Sequence, residues 1–322
     1  MATAEQIKSL IRSHVSEQPE QFFTVALQVA AHEAQHGHQS LAHEIRALVD
    51  KAKLRPGRLV PFTPDLDNLV LTTEPRERLG GLVQSDEMRA RMERILREYR
   101  QRAKLEKHGL SHRRKILLAG PPGTGKTLTA AVLARELGLP LFTILMDKIV
   151  TKFMGETSAK LRQIFDVMPE RRGVYLFDEF DAIGGERSRE NDVGEMRRVL
   201  NAFLQFIERD NSDGLIVAAT NNPYILDQAL FRRFDDVLYY RLPEQEEIVR
   251  LIENRLGSFR AKTMPLEAAA KMADSLSHAE IARACEDAIK EAILDDRKTV
   301  TATLLKQMLR ERRAAYTAPT KR

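Results

Sequence analysis

Thiol chemistry is nearly absent from this chain, and indole chemistry wholly so. Of 322 residues one is cysteine, Cys285, and none is tryptophan. A single thiol excludes an intrachain disulfide and any metal centre built on a cysteine cluster. No apolar run approaches the length of a membrane span, and the first residues carry no secretory leader pattern. The cytoplasm is therefore the expected compartment. Internal repeats and low-complexity tracts are also missing, which excludes solenoid and fibrous architectures. What remains is 43% hydrophobic and 30% charged, enough for ordinary cores under a solvated surface. The length allows one large domain or two to three smaller ones.

The net charge of +5 admits a nucleic-acid partner. The basic residues concentrate between Arg89 and Lys115. The same stretch places Met88, Met92, Ile95 and Tyr99 on one apolar stripe, with Glu87, Glu93 and Glu98 interspersed. A solvated or subunit-facing helix is the favoured reading over a nucleic-acid surface.

Residues 120–127 read Gly-Pro-Pro-Gly-Thr-Gly-Lys-Thr, directly after the apolar run Ile116-Leu117-Leu118-Ala119. This is the G-x-x-x-x-G-K-[ST] phosphate-binding pattern in its required setting, after a strand and before a helix. Its glycines let backbone N–H groups turn inward around phosphate oxygens, and the helix from Lys126 points its positive end at the same anion. Pro122, Gly123, Thr124, Gly125, Lys126, Thr127 and Leu128 are the expected ATP/ADP contacts. Lys126 is expected to reach the β- and γ-phosphates, and Thr127 to bind Mg²⁺.

A second apolar run, Val174-Tyr175-Leu176-Phe177, ends in Asp178-Glu179. A buried parallel strand has this pattern, and open α/β sheets bind ligands at the carboxyl ends of their strands. Asp178 is then placed to hold Mg²⁺, and Glu179 to orient and polarise a water. A third run, Leu215 to Thr220, ends in Asn221, which is within reach of the γ-phosphate or that water.

The three motifs resemble the Walker A, Walker B and sensor 1 motifs of the AAA ATPase family, in the same order and over residues 80–310. The resemblance implies an arginine supplied to the neighbouring subunit's site. Arg232 and Arg233 stand at that position, adjacent where the family pattern separates two arginines. It also implies that Ser277-His278-Ala279-Glu280 opens a lid helix, with His278 and Ala279 at the nucleotide. It further implies a pore loop at Lys152-Phe153-Met154-Gly155, where Phe153 and Met154 grip an extended chain.

The expected fold is α/β, a P-loop NTPase with a five-stranded parallel sheet, a C-terminal helical lid and a small N-terminal helical domain. Residues 1–54 read as helical, 55–80 as a linker with one strand at Leu69 to Thr72, 81–242 as the nucleotide domain, 243–313 as the lid and 314–322 as a disordered tail. His32, His36, His38 and His43 in the first part read as solvated rather than metal-binding. The expected activity is that of an ATP-hydrolysing ring, a homohexamer that remodels protein substrates through a central pore. In layout the chain is similar to small bacterial ATPases encoded beside a subtilisin-like serine protease, which implies a separately encoded protease as partner. Two other classes fit the same motifs: a DNA-handling helper ATPase, and a nucleotide-gated switch that threads nothing.

Overall fold

The computed structural model describes residues 8–10, 13, 19–54, 64–149, 154–180, 190–223, 231–261 and 263–317. The chain divides into two units, Met1–Pro61 and Phe62–Arg322. In the first, α1 (Pro19–Gln35) and α2 (Gln39–Leu54) pack as a helical pair. Gly37, at φ 87°, makes the turn between them. His38 Nδ1 pairs with Glu33, and the His32 and His36 rings stack at 4.2 Å.

The second unit runs α3 (Pro64–Asp67), β1 (Val70–Thr73), α4 (Asp86–Arg100), α5 (Arg102–Glu106), β2 (Lys115–Ala119), α6 (Lys126–Leu137), β3 (Leu141–Ile144), α7 (Met146–Ile149), α8 (Met154–Val167), β4 (Val174–Phe177), α9 (Glu190–Arg209), β5 (Leu215–Thr220) and β6 (Asp236–Tyr239). The strand order is β1-β3-β4-β5-β2-β6. All neighbouring pairs are parallel except β1 with β3. The sheet thus has six strands where five were expected. The extra one is the strand in the expected linker, which adds antiparallel to an edge because Leu66, Leu69 and Val70 have a core to enter.

Residues on β4 and β5 are buried throughout. Alternate side chains go to opposite faces. Leu117, Tyr175, Phe177, Ile216 and Ala218 meet α8 and α9 on one side. Ile116, Leu118, Val174, Leu176 and Val217 meet α4 and α6 on the other. The apolar stripe of α4, with Leu96 added to it, is buried in the chain's own core, where a solvated or subunit-facing helix was expected.

The arginines around α4 are largely engaged within the chain. Arg91 pairs with Asp236, Arg113 with Glu98 and Asp236, Arg114 with Asp210, and Arg100 with Glu136. These pairs tie the helix and the entry to β2 onto β6 and the end of α9, and leave less of a basic face for a polyanion.

After β6 the chain is helical: α10 (Gln245–Leu256), α11 (Leu266–Ala270), α12 (His278–Leu294) and α13 (Ala302–Thr317). They enclose their own core around Leu251, Ile252, Ile281, Ala284 and Leu305. Cys285 lies in it, and burial pushes its thiol up to about 12. The disordered tail expected from Ala314 is not what is found, because α13 continues to Thr317; residues 318–322 lie outside the described ones. No described helix is long and apolar enough to cross a membrane.

Phe203 of α9 packs against Phe177, whose backbone leads into Asp178, and against Phe165 and Phe180, with ring centroids 4.4–5.8 Å apart. Phe203→Ala removes the ring at the centre of this cluster. It is expected to lower stability by about 3–5 kcal/mol, read by denaturant unfolding. A loss under about 1 kcal/mol would show that the cluster does not hold the end of β4.

Candidate functional site

The register of the central strands sets the site. Ala119 of β2 lies opposite Thr220 of β5, and Phe177 of β4 opposite Ala218. The three chains therefore leave the sheet within a residue or two of one another. Gly120, Asp178 and Asn221 emerge at one edge, where the carboxyl ends of the strands face solvent.

The loop after β2 is shaped by left-handed turns. Gly123 has φ 72° and Gly125 φ 99°, a region that side chains rarely tolerate. A Cβ on Gly123 would also stand 2.5 Å from Ser277 Oγ. The loop ends at α6, whose first residue is Lys126. Lys126 Nζ donates to Gly120 O at 2.7 Å, and to Pro121 O and Asn221 Oδ1 at 2.8 Å each. Its ammonium group thus bridges the loop and the end of β5. Thr124 is buried, and its hydroxyl donates to Pro121 O.

Asp178 is engaged through both oxygens. Thr127 Oγ1 donates to Oδ2 at 2.6 Å, and the Glu179 N–H donates to Oδ1 at 2.9 Å. Glu179 adopts φ 52°, a left-handed conformation unusual for a residue with a side chain. Such strain persists where surrounding structure over-determines it, and it concentrates at functional sites. The Glu179 side chain is exposed at the mouth of the cleft.

These groups line one cleft of about 380 Å³, within the range of small-ligand sites. Pro122, Gly123, Thr124, Gly125, Lys126, Thr127 and Leu128 form its floor, and Asp178, Glu179 and Asn221 one side. His278 and Ala279 close it from the lid. Ser277 caps α12, accepting from Glu280 N while Glu280 accepts from Ser277 N. The Ala279 N–H donates to Gly123 O at 2.9 Å, so the lid helix is hydrogen-bonded to the phosphate-type loop itself. Burial lowers the His278 imidazole to about 4.

Sequence reasoning missed two walls of this cleft. Leu82, Val83 and Gln84 line it, and Gln84 Nε2 donates to Thr124 O at 3.2 Å. Gly81, the first residue of the expected nucleotide domain, belongs to it as well. Leu251 and Arg255 of α10 and Ala282 of α12 form the other wall. Residues 251 and 255 are four apart on one helix, a spacing that puts them on one face. Nothing in the sequence, though, indicates that this face meets the loop.

Arg232 and Arg233 are not among the residues lining the cleft. Arg233 is half-buried and ion-paired with Glu208 at the end of α9, whereas Arg232 is exposed. Phe153 lies outside the described residues. Met154 is the first residue of α8, and Gly155 after it is exposed.

Comparison with known proteins agrees with this geometry. The family described as "ATPase family associated with various cellular activities (AAA)" matches residues 116–242. An uncharacterized AAA family ATPase of Sinorhizobium fredii is 34% identical over 307 residues, 93% of this chain and 92% of that protein. A proteasome-activating nucleotidase of Methanothermobacter thermautotrophicus is 35% identical over 205 residues, 61% of this chain and 50% of that protein. One of Methanococcus vannielii is 34% identical over 211 residues, 63% of this chain and 52% of that protein. The chain spans about half the length of these nucleotidases. With that match along nearly its whole length to the Sinorhizobium protein, and with the cleft built as described, the chain belongs to the AAA family of ATPases: it binds nucleotide and hydrolyses ATP.

Proposed function

We propose that this ATPase is a ring motor that remodels protein, and that its cleft works with residues of two subunits. The observation that carries the reading is the convergence of Lys126, Thr127, Asp178, Glu179 and Asn221 in one cleft. The loop amides of residues 123–127 hold the β- and γ-phosphates, with Lys126 adding its charge. The hydroxyl of Thr127 and the carboxylate of Asp178 are hard oxygen donors already in contact, a set that fits Mg²⁺. Bound there, Mg²⁺ would neutralise charge on the phosphates. Glu179, at the cleft mouth, orients the attacking water and polarises it towards the γ-phosphorus. Asn221 holds the same region from β5.

Glu179→Gln keeps the shape and removes the carboxylate. Hydrolysis is expected to fall about 100- to 10,000-fold while nucleotide affinity stays within a few-fold. Lys126→Ala is expected to weaken nucleotide binding itself. Near-normal turnover in the first variant, or normal binding in the second, measured by phosphate release and calorimetry, would reject these roles.

The neighbouring subunit contributes an arginine in this scheme. Arg233 is occupied by Glu208, so the exposed Arg232 is the one that reaches across. A permanent planar charge suits a transition state whose negative charge shifts among phosphate oxygens. Arg232→Ala should cut turnover by about 1,000-fold, the scale of an arginine finger, and Arg233→Ala by much less. Mixing Arg232→Ala with Lys126→Ala subunits should restore part of the activity, because a mixed ring contains complete interfaces. No recovery in rings shown to be mixed, or a larger loss from Arg233→Ala, would overturn the assignment.

Protein is the favoured substrate because relatives named for activating a proteasome share the ATPase module. The layout similarity to ATPases encoded beside a subtilisin-like protease suggests that proteolysis, where it occurs, belongs to a separate chain. The arginines around α4 are engaged in intrachain pairs, which disfavours the DNA-handling alternative. A homohexamer with the N-terminal helices selecting substrate completes the reading.

Phe153→Ala separates threading from switching. In a threading motor, processing of an unfolded protein collapses while ATPase rate stays within a few-fold and melting is unchanged. If melting and ATPase rate fall together, Phe153 is a core residue. If all three measurements are unchanged, the ring does not pull through this loop.

A further inference from the structure

We infer that Tyr240 is a positioning residue for the phosphate-binding loop: through the hydroxyl of Thr129, its phenol fixes the peptide group that joins Gly125 to Lys126. The inference rests on the reading of the loop amides as phosphate ligands. Tyr240 is the first residue after β6, and the short segment that follows it leads into α10 of the lid. Its side chain is buried between the sheet and α6, in the core that holds Ile116, Leu118, Ala130 and Leu133. Thr129 of α6 is fully buried as well. The phenol donates to Thr129 Oγ1 at 2.6 Å, and Thr129 Oγ1 donates in turn to Gly125 O at 3.0 Å. The Thr129 N–H donates to the same carbonyl at 2.9 Å. Burial pushes the phenol up from its ordinary value, so it stays a donor at neutral pH.

A threonine inside a helix commonly bonds back to the carbonyl four residues earlier. The phenol makes this bond part of a chain that starts outside the helix. In a trans peptide the C=O and the following N–H point in opposite directions. A Gly125 carbonyl pinned towards α6 therefore turns the Lys126 N–H outward, to the place of the phosphates. Gly125 itself, at φ 99°, has the backbone freedom that makes such a pin useful. The main chain of Tyr240 touches the other end of the loop. Its N–H donates to Ala119 O at 2.7 Å, and its carbonyl leaves no room for a Cβ on Gly120. One residue at the root of the lid thus holds both ends of the loop. Replacing both partners of a buried hydrogen bond by apolar groups is close to neutral for stability. Filling this apolar layer therefore does not call for two hydroxyls; orienting a loop carbonyl does.

Calorimetry with ADP and with pyrophosphate, and steady-state ATPase kinetics, test this on the full chain. Tyr240→Phe removes only the hydroxyl. It is expected to weaken ADP and pyrophosphate alike by about three- to tenfold, the worth of one hydrogen bond. KM should rise by a similar factor with kcat within about twofold, the pattern of binding lost equally from ground and transition states. Thr129→Ser keeps a hydroxyl and should bind as wild type does. The double variant Tyr240→Phe with Thr129→Val removes both polar groups, so it should melt near wild type and still bind both ligands at least as weakly as Tyr240→Phe. Affinity read by calorimetry belongs to the folded fraction alone, so a partial loss of stability does not mimic the effect. Unchanged affinity in Tyr240→Phe overturns the proposal, as does a fall in kcat at constant KM. A double variant that regains full affinity overturns it too, because the pair would then serve stability only. So does a loss confined to ADP, which would place the effect at the nucleoside. Failure of the underlying reading looks different: Lys126→Ala would bind both ligands as well as wild type. Where Lys126→Ala loses them and Tyr240→Phe does not, this inference alone falls.

Discussion

Everything at the cleft depends on the register of three buried parallel strands. With β2, β5 and β4 paired as Ala119 to Thr220 and Phe177 to Ala218, their last residues stop almost level. A shift of one residue in either pairing would turn each side chain of the strand to the other face. Leu117, Phe177 and Ala218 would then trade places with Leu118, Leu176 and Ala219 across two distinct helix layers. The cost of that mismatch is what keeps Asp178 and Asn221 beside the loop that follows β2. The chemistry is thus held by apolar residues that never touch a ligand.

Charge plays a complementary part at the far side of the sheet. Arg114 meets Asp210, the N–H groups of residues 114 and 115 donate to Asp235, and Arg91 with Arg113 meets Asp236. These contacts join the start of β2, the end of α9 and the start of β6. Pairs with partly buried members contribute more than freely exposed ones, because solvent screens them less. A stretch that by count alone suggests affinity for a polyanion is in large part internal bracing.

The strands and the loop were legible because each carries a local signal. Four to six apolar residues followed by polar ones mark a buried strand, and the glycine spacing of residues 120–127 has few other uses. The antiparallel edge strand was harder to place. Prolines at 56, 61, 64 and 75 argue for a linker, whereas burial of Leu66, Leu69 and Val70 depends on partners far along the chain. The walls formed by Leu82–Gln84 and by Leu251 with Arg255 were invisible for the same reason. Their residues are ordinary for a loop and for an amphipathic helix, and only packing brings them to the cleft. Adjacency in sequence likewise says nothing about which of Arg232 and Arg233 Glu208 engages; the fold pairs it with Arg233.

The bond from Ala279 N–H to Gly123 O, with Ser277 pressed against the glycine, gives the lid a mechanical role. It acts as a pivot. The helix that starts there is 17 residues long, a rigid arm of about 25 Å at 1.5 Å per residue. Any rearrangement of the loop that turns this arm is magnified towards its far end, where Ile293 and Leu294 are exposed. A small change beside the loop would then become a larger displacement at that exposed end of the helix.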